Sequence, residues 1–205
     1  IKLNKEFARL LGYYLAEGSI NRDSYLNFSF NENEKEYIED VKKLLKKCFK
    51  VEKFCELGNK KNHGADIIVC NAKLARLFKT FGTKAWKKLL PSEFMYLNPE
   101  LQKEIILGSF RGDGNYFNKD YKKGKKESLR LNTTSYKLAR QVKDILLRLD
   151  TFAFINARDR SKENRKMMYT VGITGEYMVK AGSLLGIKIQ DKLNNKKRAT
   201  MFYID

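Results

Sequence analysis

Histidine, proline and cysteine are scarce in this chain, and each scarcity removes a class of function. His63 is the only histidine, which excludes nucleases built on paired imidazoles and leaves acid and base chemistry to carboxylates, lysines or metal-bound water. It lies in GNKKNHGAD, whose composition reads as a loop. Cys48, Cys55 and Cys70 are odd in number and form no CxxC pair, so neither a disulfide framework nor a zinc site is indicated; they read as buried thiols in a reducing compartment. Two prolines and no long flexible linker favour tightly coupled units over beads on a string. With no run of 18 apolar residues and no signal peptide, no membrane partner is expected and the chain reads as intracellular.

Acidic residues are also outnumbered. The 205 residues carry 42 Lys and Arg against 24 Asp and Glu, a net charge of +18 that points to a polyanionic partner, with nucleic acid ahead of a membrane surface. That length buries a core either as one large domain or as two small ones sharing an interface.

The chain repeats itself. LLGYYLAEG at residues 10–18 recurs as ILGSFRGDG at 106–114, and IIVCNAKLARLFKTFG at 67–82 has a counterpart in YTVGITGEYMVKAGSLLG at 169–186. Two related units follow, 1–97 and 98–205, each reading as helix, two strands, helix, two strands, helix. In the first, Asn4 caps a helix to about Ala16, and LNFSF alternates Leu26, Phe28 and Phe30 against Asn27 and Ser29. EKEYIEDVKKLLKKCF carries an apolar helical stripe, followed by strands near 49–57 and 65–70 and a helix capped by Asn71. In the second, Asn98 and Pro99 start a helix, Leu129 and Leu131 alternate with Ser128, Arg130 and Asn132, and SYKLARQVKDILLRL is amphipathic, before strands near 152–158 and 168–173. Segments 58–64 and 119–127, rich in Lys, Asn and Gly, read as exposed hairpin loops.

The repeated helices hold the chemistry. Small residues recur four apart, Gly12 with Ala16 and Gly108 with Gly112, giving each helix a flat stripe on which another backbone can lie close. Each stripe is followed by an acid and a glycine, Glu17-Gly18 and Asp113-Gly114, the glycine suiting a left-handed helix terminus. Packing the stripes together brings the two carboxylates together, each at the negative end of a helix dipole and each repelling the other. A divalent cation resolves both conflicts. Oxygen ligands completed by water and phosphate suit Mg²⁺, with Mn²⁺ as a substitute.

The two nonapeptides resemble the paired LAGLIDADG motifs of homing endonucleases, and the similarity spans nearly the whole chain, including the αββαββα order of each half. The resemblance implies an α+β fold of two pseudo-symmetric halves, the motif helices packed at the interface and two antiparallel sheets forming a DNA-binding saddle. It implies that Glu17 and Asp113 are catalytic and bind metal, although Glu17 and Arg111 depart from the usual motif residues. LLGYYLAEG and KKLLPSEF at 87–94 look most like the endonuclease portion of inteins. Lys88, three residues before Pro91, matches that group's active-site lysine; by the internal repeat, Lys192 is its partner.

On such a saddle, base readers lie on the polar strand faces: Asn27, Ser29, Ser128, Arg130 and Asn132. Arg22, Lys53, Arg158 and Arg160 are further candidates, and Lys123 and Lys125 of YKKGKK suit phosphate contacts. The divergent strands imply a long, non-palindromic double-stranded DNA target, read by a monomer without an obligate protein partner. A cleavage-inactive DNA- or RNA-binding protein of the same fold, a maturase or a regulator, is the other reading. An aspartic-protease or glycosidase dyad fits poorly, since AEG and GDG are not DTG-like.

Overall fold

The computed structural model describes residues 2–59, 63–121 and 124–186. Lys123 and Lys192 lie outside them, as does the side chain of Lys125. The first half comprises α1 (Lys5–Glu17), β1 (Gly18–Asn21), β2 (Tyr25–Asn31), α2 (Lys35–Phe49), β3 (Cys55–Asn59), β4 (Gly64–Cys70) and α3 (Ala72–Lys79). The second repeats the order as α4 (Pro99–Asp113), β5 (Gly114–Tyr121), β6 (Gly124–Thr133), α5 (Tyr136–Arg148), β7 (Phe154–Arg158), β8 (Met168–Ile173) and α6 (Glu176–Leu185). The strands form two four-stranded antiparallel sheets of matching order, β1-β2-β4-β3 and β5-β6-β8-β7. The fold is therefore α+β, two αββαββα halves, as the repeat implies.

Local chemistry sets the boundaries. The Asn4 side chain accepts the Phe7 amide at 2.9 Å, Asn71 accepts those of Lys73 and Leu74, and Asn98, followed by Pro99, accepts that of Glu100. Two expectations are corrected. The strand expected near 49–57 begins only at Cys55, because α2 runs on through Phe49 and ends at Lys50 in the left-handed region, with φ +58°. The loop expected over 119–127 is mostly strand, since β5 and β6 stay paired as far as Tyr121 and Gly124. Lys, Asn and Gly there follow the register of the hairpin rather than their own turn propensity.

The core fills the space between sheets and helices. Leu26 and Phe28 of β2 pack inward with Ile67 and Val69 of β4, and Leu129 and Leu131 with Val171 and Ile173. Asn27, Ser29, Ser128, Arg130 and Asn132 project from the opposite face, as the alternation requires. Cys70, two residues past Ile68 on that outer face, is exposed, as is Cys55; the expectation of buried thiols holds only in part, for half-buried Cys48.

The two halves meet along α1 and α4, whose backbones touch. A Cβ on Gly12 would lie 2.2 Å from the Ile105 carbonyl oxygen and 2.9 Å from the Gly108 Cα; one on Gly108 would lie 2.2 Å from the Arg9 oxygen. Neither neighbour is a movable side-chain end, so only glycine permits this approach. Gly18 and Gly114 correct a further expectation. Both are extended, with φ −78° and −81°, so their role is space rather than handedness. A Cβ on Gly18 would strike the Tyr14 ring at 2.1 Å, and one on Gly114 the Phe110 oxygen at 2.2 Å.

Gly108→Ala forces two helices apart along a shared backbone contact and is expected to cost about 2–3 kcal/mol, lowering the melting midpoint by roughly 5–10 °C. Gly58→Ala, whose added methyl meets nothing within 4 Å, is the matched control and stays within about 0.5 kcal/mol in the same thermal unfolding experiment.

Candidate functional site

Helix contact at the glycines places the ends of α1 and α4 side by side. Glu17 and Asp113 stand there as neighbours, close enough that a Cβ on Gly112 would sit 3.0 Å from Glu17 Cγ and 3.5 Å from its Oε1. Glu17 is half-buried, and Asp113 keeps access to solvent while the protein crowds the rest of it. Burial, then the Asp113 charge, pushes Glu17 up to about 8, and burial pushes Asp113 up to about 6, with Glu34 adding repulsion to each. Glu34, at the start of α2, binds the Asn31 amide at 2.8 Å through its own carboxylate. Nothing in the sequence singles it out, since only the tertiary fold turns that loop toward the acid pair.

Lys88 supplies the opposing charge. A lysine in the run KKLL reads as solvated, yet Lys88 is 2% exposed. Its Nζ donates to the carbonyl oxygens of Tyr14 at 2.5 Å and Gly18 at 2.6 Å, and lies 3.4 Å from the centre of the Tyr14 ring. It thus binds at the end of α1, where the helix dipole is negative, sharing the Tyr14 carbonyl with the Gly18 amide. Burial lowers Lys88 to about 7, with Asp113 and Glu17 pulling the other way.

The segment carrying Lys88 leaves the first half but is held by the second. Ser135 donates to the Lys88 carbonyl at 2.7 Å, while Gln141 accepts the Leu90 amide at 2.9 Å and donates to the Leu90 carbonyl at 2.6 Å. Tyr14 anchors the turn before it by donating to the Gly82 carbonyl at 2.7 Å, and Gly82 has φ +92°, which a side chain would strain. Arg111, odd in an otherwise apolar motif, is explained by a polar belt across the helix interface. Its Nη1 pairs with Asp40 of α2 at 2.8 Å, Tyr13 donates to the same carboxylate at 3.0 Å, and Arg9 pairs with Glu104 at 2.6 Å.

The outer sheet faces carry the remaining sequence candidates. Arg130 is braced on β6, its Nε donating to Ser128 Oγ at 2.8 Å and its guanidinium 3.5 Å from the Phe117 ring centre. Ser128 itself is fully buried, so it holds Arg130 rather than presenting its own hydroxyl. Asn27 donates to Ser29 at 3.2 Å, and its buried Oδ1 has no partner among the described residues, an acceptor left open on that face. Asn132 accepts from Thr170 at 2.7 Å. Arg158 and Arg160 share Glu163 at the tip of the β7–β8 hairpin, Arg22 sits in the β1–β2 turn with φ +50°, and Lys53 is exposed before β3.

Residues 4–82 and 100–186 match the model of the LAGLIDADG-like domain, and the chain belongs to that family. It is 31% identical over 200 residues, 92% of its length, to the uncharacterized protein MJ1054 of Methanocaldococcus jannaschii, and 25% identical over 199 residues to the ATP-dependent DNA helicase Hel308 of Thermococcus kodakarensis. It is also 31% identical over 156 residues to the iron-sulfur cluster assembly SufBD family protein Rv1461 of Mycobacterium tuberculosis. The chain spans only 22%, 17% and 18% of those three proteins. In structure it is similar to the homing endonuclease I-DmoI in complex with DNA and Mn, with TM-score 0.65 and 15% identity over 92% of this chain and 100% of that one. It is similar, too, to the N-terminal LAGLIDADG domain of DUF199/WhiA, with TM-score 0.62 and 14% identity over 92% and 86%. The fold is shared by both, so fold alone does not establish cleavage.

The donor set fits a divalent cation. Two adjoining carboxylates, both pushed up from their ordinary values and offset only in part by Lys88, ionise together at a cost that a cation removes. No cluster of three or more acidic, histidine or cysteine ligands exists among the described residues, so water and phosphate oxygens must complete the shell, as Mg²⁺ tolerates.

Because Glu17 holds its proton to about 8 in the folded chain, against 4.5 ordinarily, the folded state binds more protons than the unfolded one between those values. Stability therefore falls as pH rises through that window, and the penalty is complete above it. Glu17→Gln is expected to raise the melting midpoint at pH 8 by roughly 4–8 °C, with the gain vanishing near pH 4. At pH 8, Mg²⁺ should raise the midpoint of the wild-type protein and leave a Glu17→Gln/Asp113→Asn double variant unmoved. A gain in the variant that is the same at both pH values contradicts the burial argument.

Proposed function

We propose that the chain is a site-specific, metal-dependent DNA endonuclease whose halves, 1–97 and 98–205, read the two ends of one long non-palindromic duplex target as a monomer. The observation that carries this reading is the joining of Glu17 and Asp113, one from each half, beside a buried Lys88. A binding module has no use for two adjoining acids that repel each other and the DNA.

In this reading the carboxylates hold Mg²⁺ or Mn²⁺ at the centre of the saddle. The bound cation would activate water and stabilise the departing 3′ oxygen, the chemistry such ions supply in phosphodiester hydrolysis. Lys88 donates positive charge toward the phosphate as negative charge builds there. Lys192 is its counterpart by the internal repeat. Arg130, braced by Ser128 and Phe117, reads a base edge; Asn132 on the same strand and Asn27 on the first sheet offer amides, and Lys123 and Lys125 touch phosphates. The I-DmoI complexes with DNA and Mn or Ca support both the partner and the ion class.

An intein setting is supported by where the relatives lie. Segments matching this chain recur inside proteins as different as a DNA helicase and an iron-sulfur cluster assembly protein, and form less than a quarter of each. An insert that moves between hosts has that distribution. The DUF199/WhiA likeness favours a second reading, a DNA-binding protein that does not cut.

Incubation of the protein with a randomised target library, with Mg²⁺ or with chelator, separates the two. Cleavage at one site per strand, lost in chelator, is expected, and Glu17→Gln and Asp113→Asn should each reduce it by at least about 10³-fold while binding persists. Specific binding without cleavage under any divalent ion establishes the second reading instead. Arg130→Ala should cost about 1–3 kcal/mol and relax preference at one or two adjacent positions, checked by titration against singly substituted targets. A uniform loss across that panel removes Arg130 from base reading.

A further inference from the structure

The segment that delivers Lys88 has a second, outward side. Trp86, the only tryptophan, is 42% exposed there, with Lys84 Nζ 5.5 Å and Lys166 Nζ 4.5 Å from its ring centre. Lys84 belongs to the connection out of α3, whereas Lys166 comes from the β7–β8 hairpin of the other half. Beside the indole lies a cavity of about 470 Å³ lined by Trp86, Lys79, Lys87, Lys88 and Lys137, with no carboxylate in its wall. Lys79 is tied to Asp23 at 2.9 Å. Lys84, Lys87, Lys137 and Lys166 have no ion-pair partner among the described residues. The patch sits at the inner end of the second sheet, where Thr133 pairs with Tyr169 and Ser135 clasps the Lys88 carbonyl.

We infer that Trp86 and its lysines form a binding site for the phosphodiester backbone of duplex DNA, independent of sequence and next to the cutting centre. An exposed indole is costly in water unless something covers it, and a deoxyribose offers the flat apolar face that suits it. The ring also organises two ammonium groups from opposite halves around one post, so a phosphate entering there meets cations already gathered. Lys87 and Lys137 lie in reach of the same strand. The site would fix how the backbone lies against both halves, a positioning role that carries no sequence information. This inference rests on the DNA-binding reading above.

Because Trp86 is unique, its emission reports the site without labelling. The Glu17→Gln protein is titrated with cognate and unrelated duplexes in parallel with anisotropy of a labelled duplex. Trp86 emission is expected to change with the same midpoint as the anisotropy for both duplexes. Lys84→Ala/Lys166→Ala should lower the slope of log K against log salt by roughly 1.5–2, and Trp86→Ala should weaken every duplex alike by about fivefold. Anisotropy that saturates while Trp86 emission and the salt slope stay unchanged overturns this inference alone. No duplex binding by anisotropy overturns it together with the endonuclease reading. Loss confined to the cognate duplex also overturns it, since backbone contacts do not discriminate sequence.

Discussion

Everything in this molecule hangs on the contact of two helix backbones at Gly12 and Gly108. Each glycine lies against a carbonyl oxygen or Cα of the opposite helix, so the separation of α1 and α4 is set by peptide atoms and not by adaptable side chains. That contact fixes the distance between the two sheets that grow from the helix ends, because Gly18 and Gly114 begin β1 and β5 directly after α1 and α4. It equally fixes the spacing of Glu17 and Asp113. Saddle width and carboxylate spacing are therefore one quantity, and neither half can adjust the one without the other.

The electrostatic arrangement follows from that rigidity. Two acids are held together at the negative ends of two helices, where neither dipole nor desolvation favours their charge. Lys88 partly offsets this while binding carbonyls at the end of α1, and Arg111, Asp40, Tyr13, Arg9 and Glu104 form a separate, internally balanced belt. The difference between the two clusters is instructive. The belt is satisfied by its own members, whereas the acid pair has Lys88 as a partial offset and both its carboxyls are pushed up.

Much of this was legible in the sequence, for reasons that differ by feature. The repeat, the glycine stripe and the two acids depend on spacing along one helix, which the chain displays directly. The strand faces at Leu26–Phe30 and Leu129–Asn132 are equally local. Turn composition misled at 119–127, where pairing with a partner strand overrides the preferences of Lys, Asn and Gly. Cys55 and Cys70 are exposed rather than buried, and for Cys70 the alternation of Ile67 and Val69 already points outward. Burial of Lys88 was not legible, because it depends on the Tyr14 ring and on carbonyls 70 or more residues away. Glu34, Ser135, Gln141 and the Trp86 cluster are assembled only by tertiary contact, and no local signal marks them.

The clasp on the Lys88 segment bears on the order in which the molecule comes into being. Ser135 and Gln141 hold the Lys88 and Leu90 backbones, and Asp113 supplies half of the acid pair. A growing chain emerging from the ribosome therefore presents Glu17 and Lys88 long before the groups that complete and orient them. Until residue 141 is free to fold, the nascent protein carries no completed acid pair and no clasp on the Lys88 segment, so the order of synthesis makes the second half the one that finishes the site.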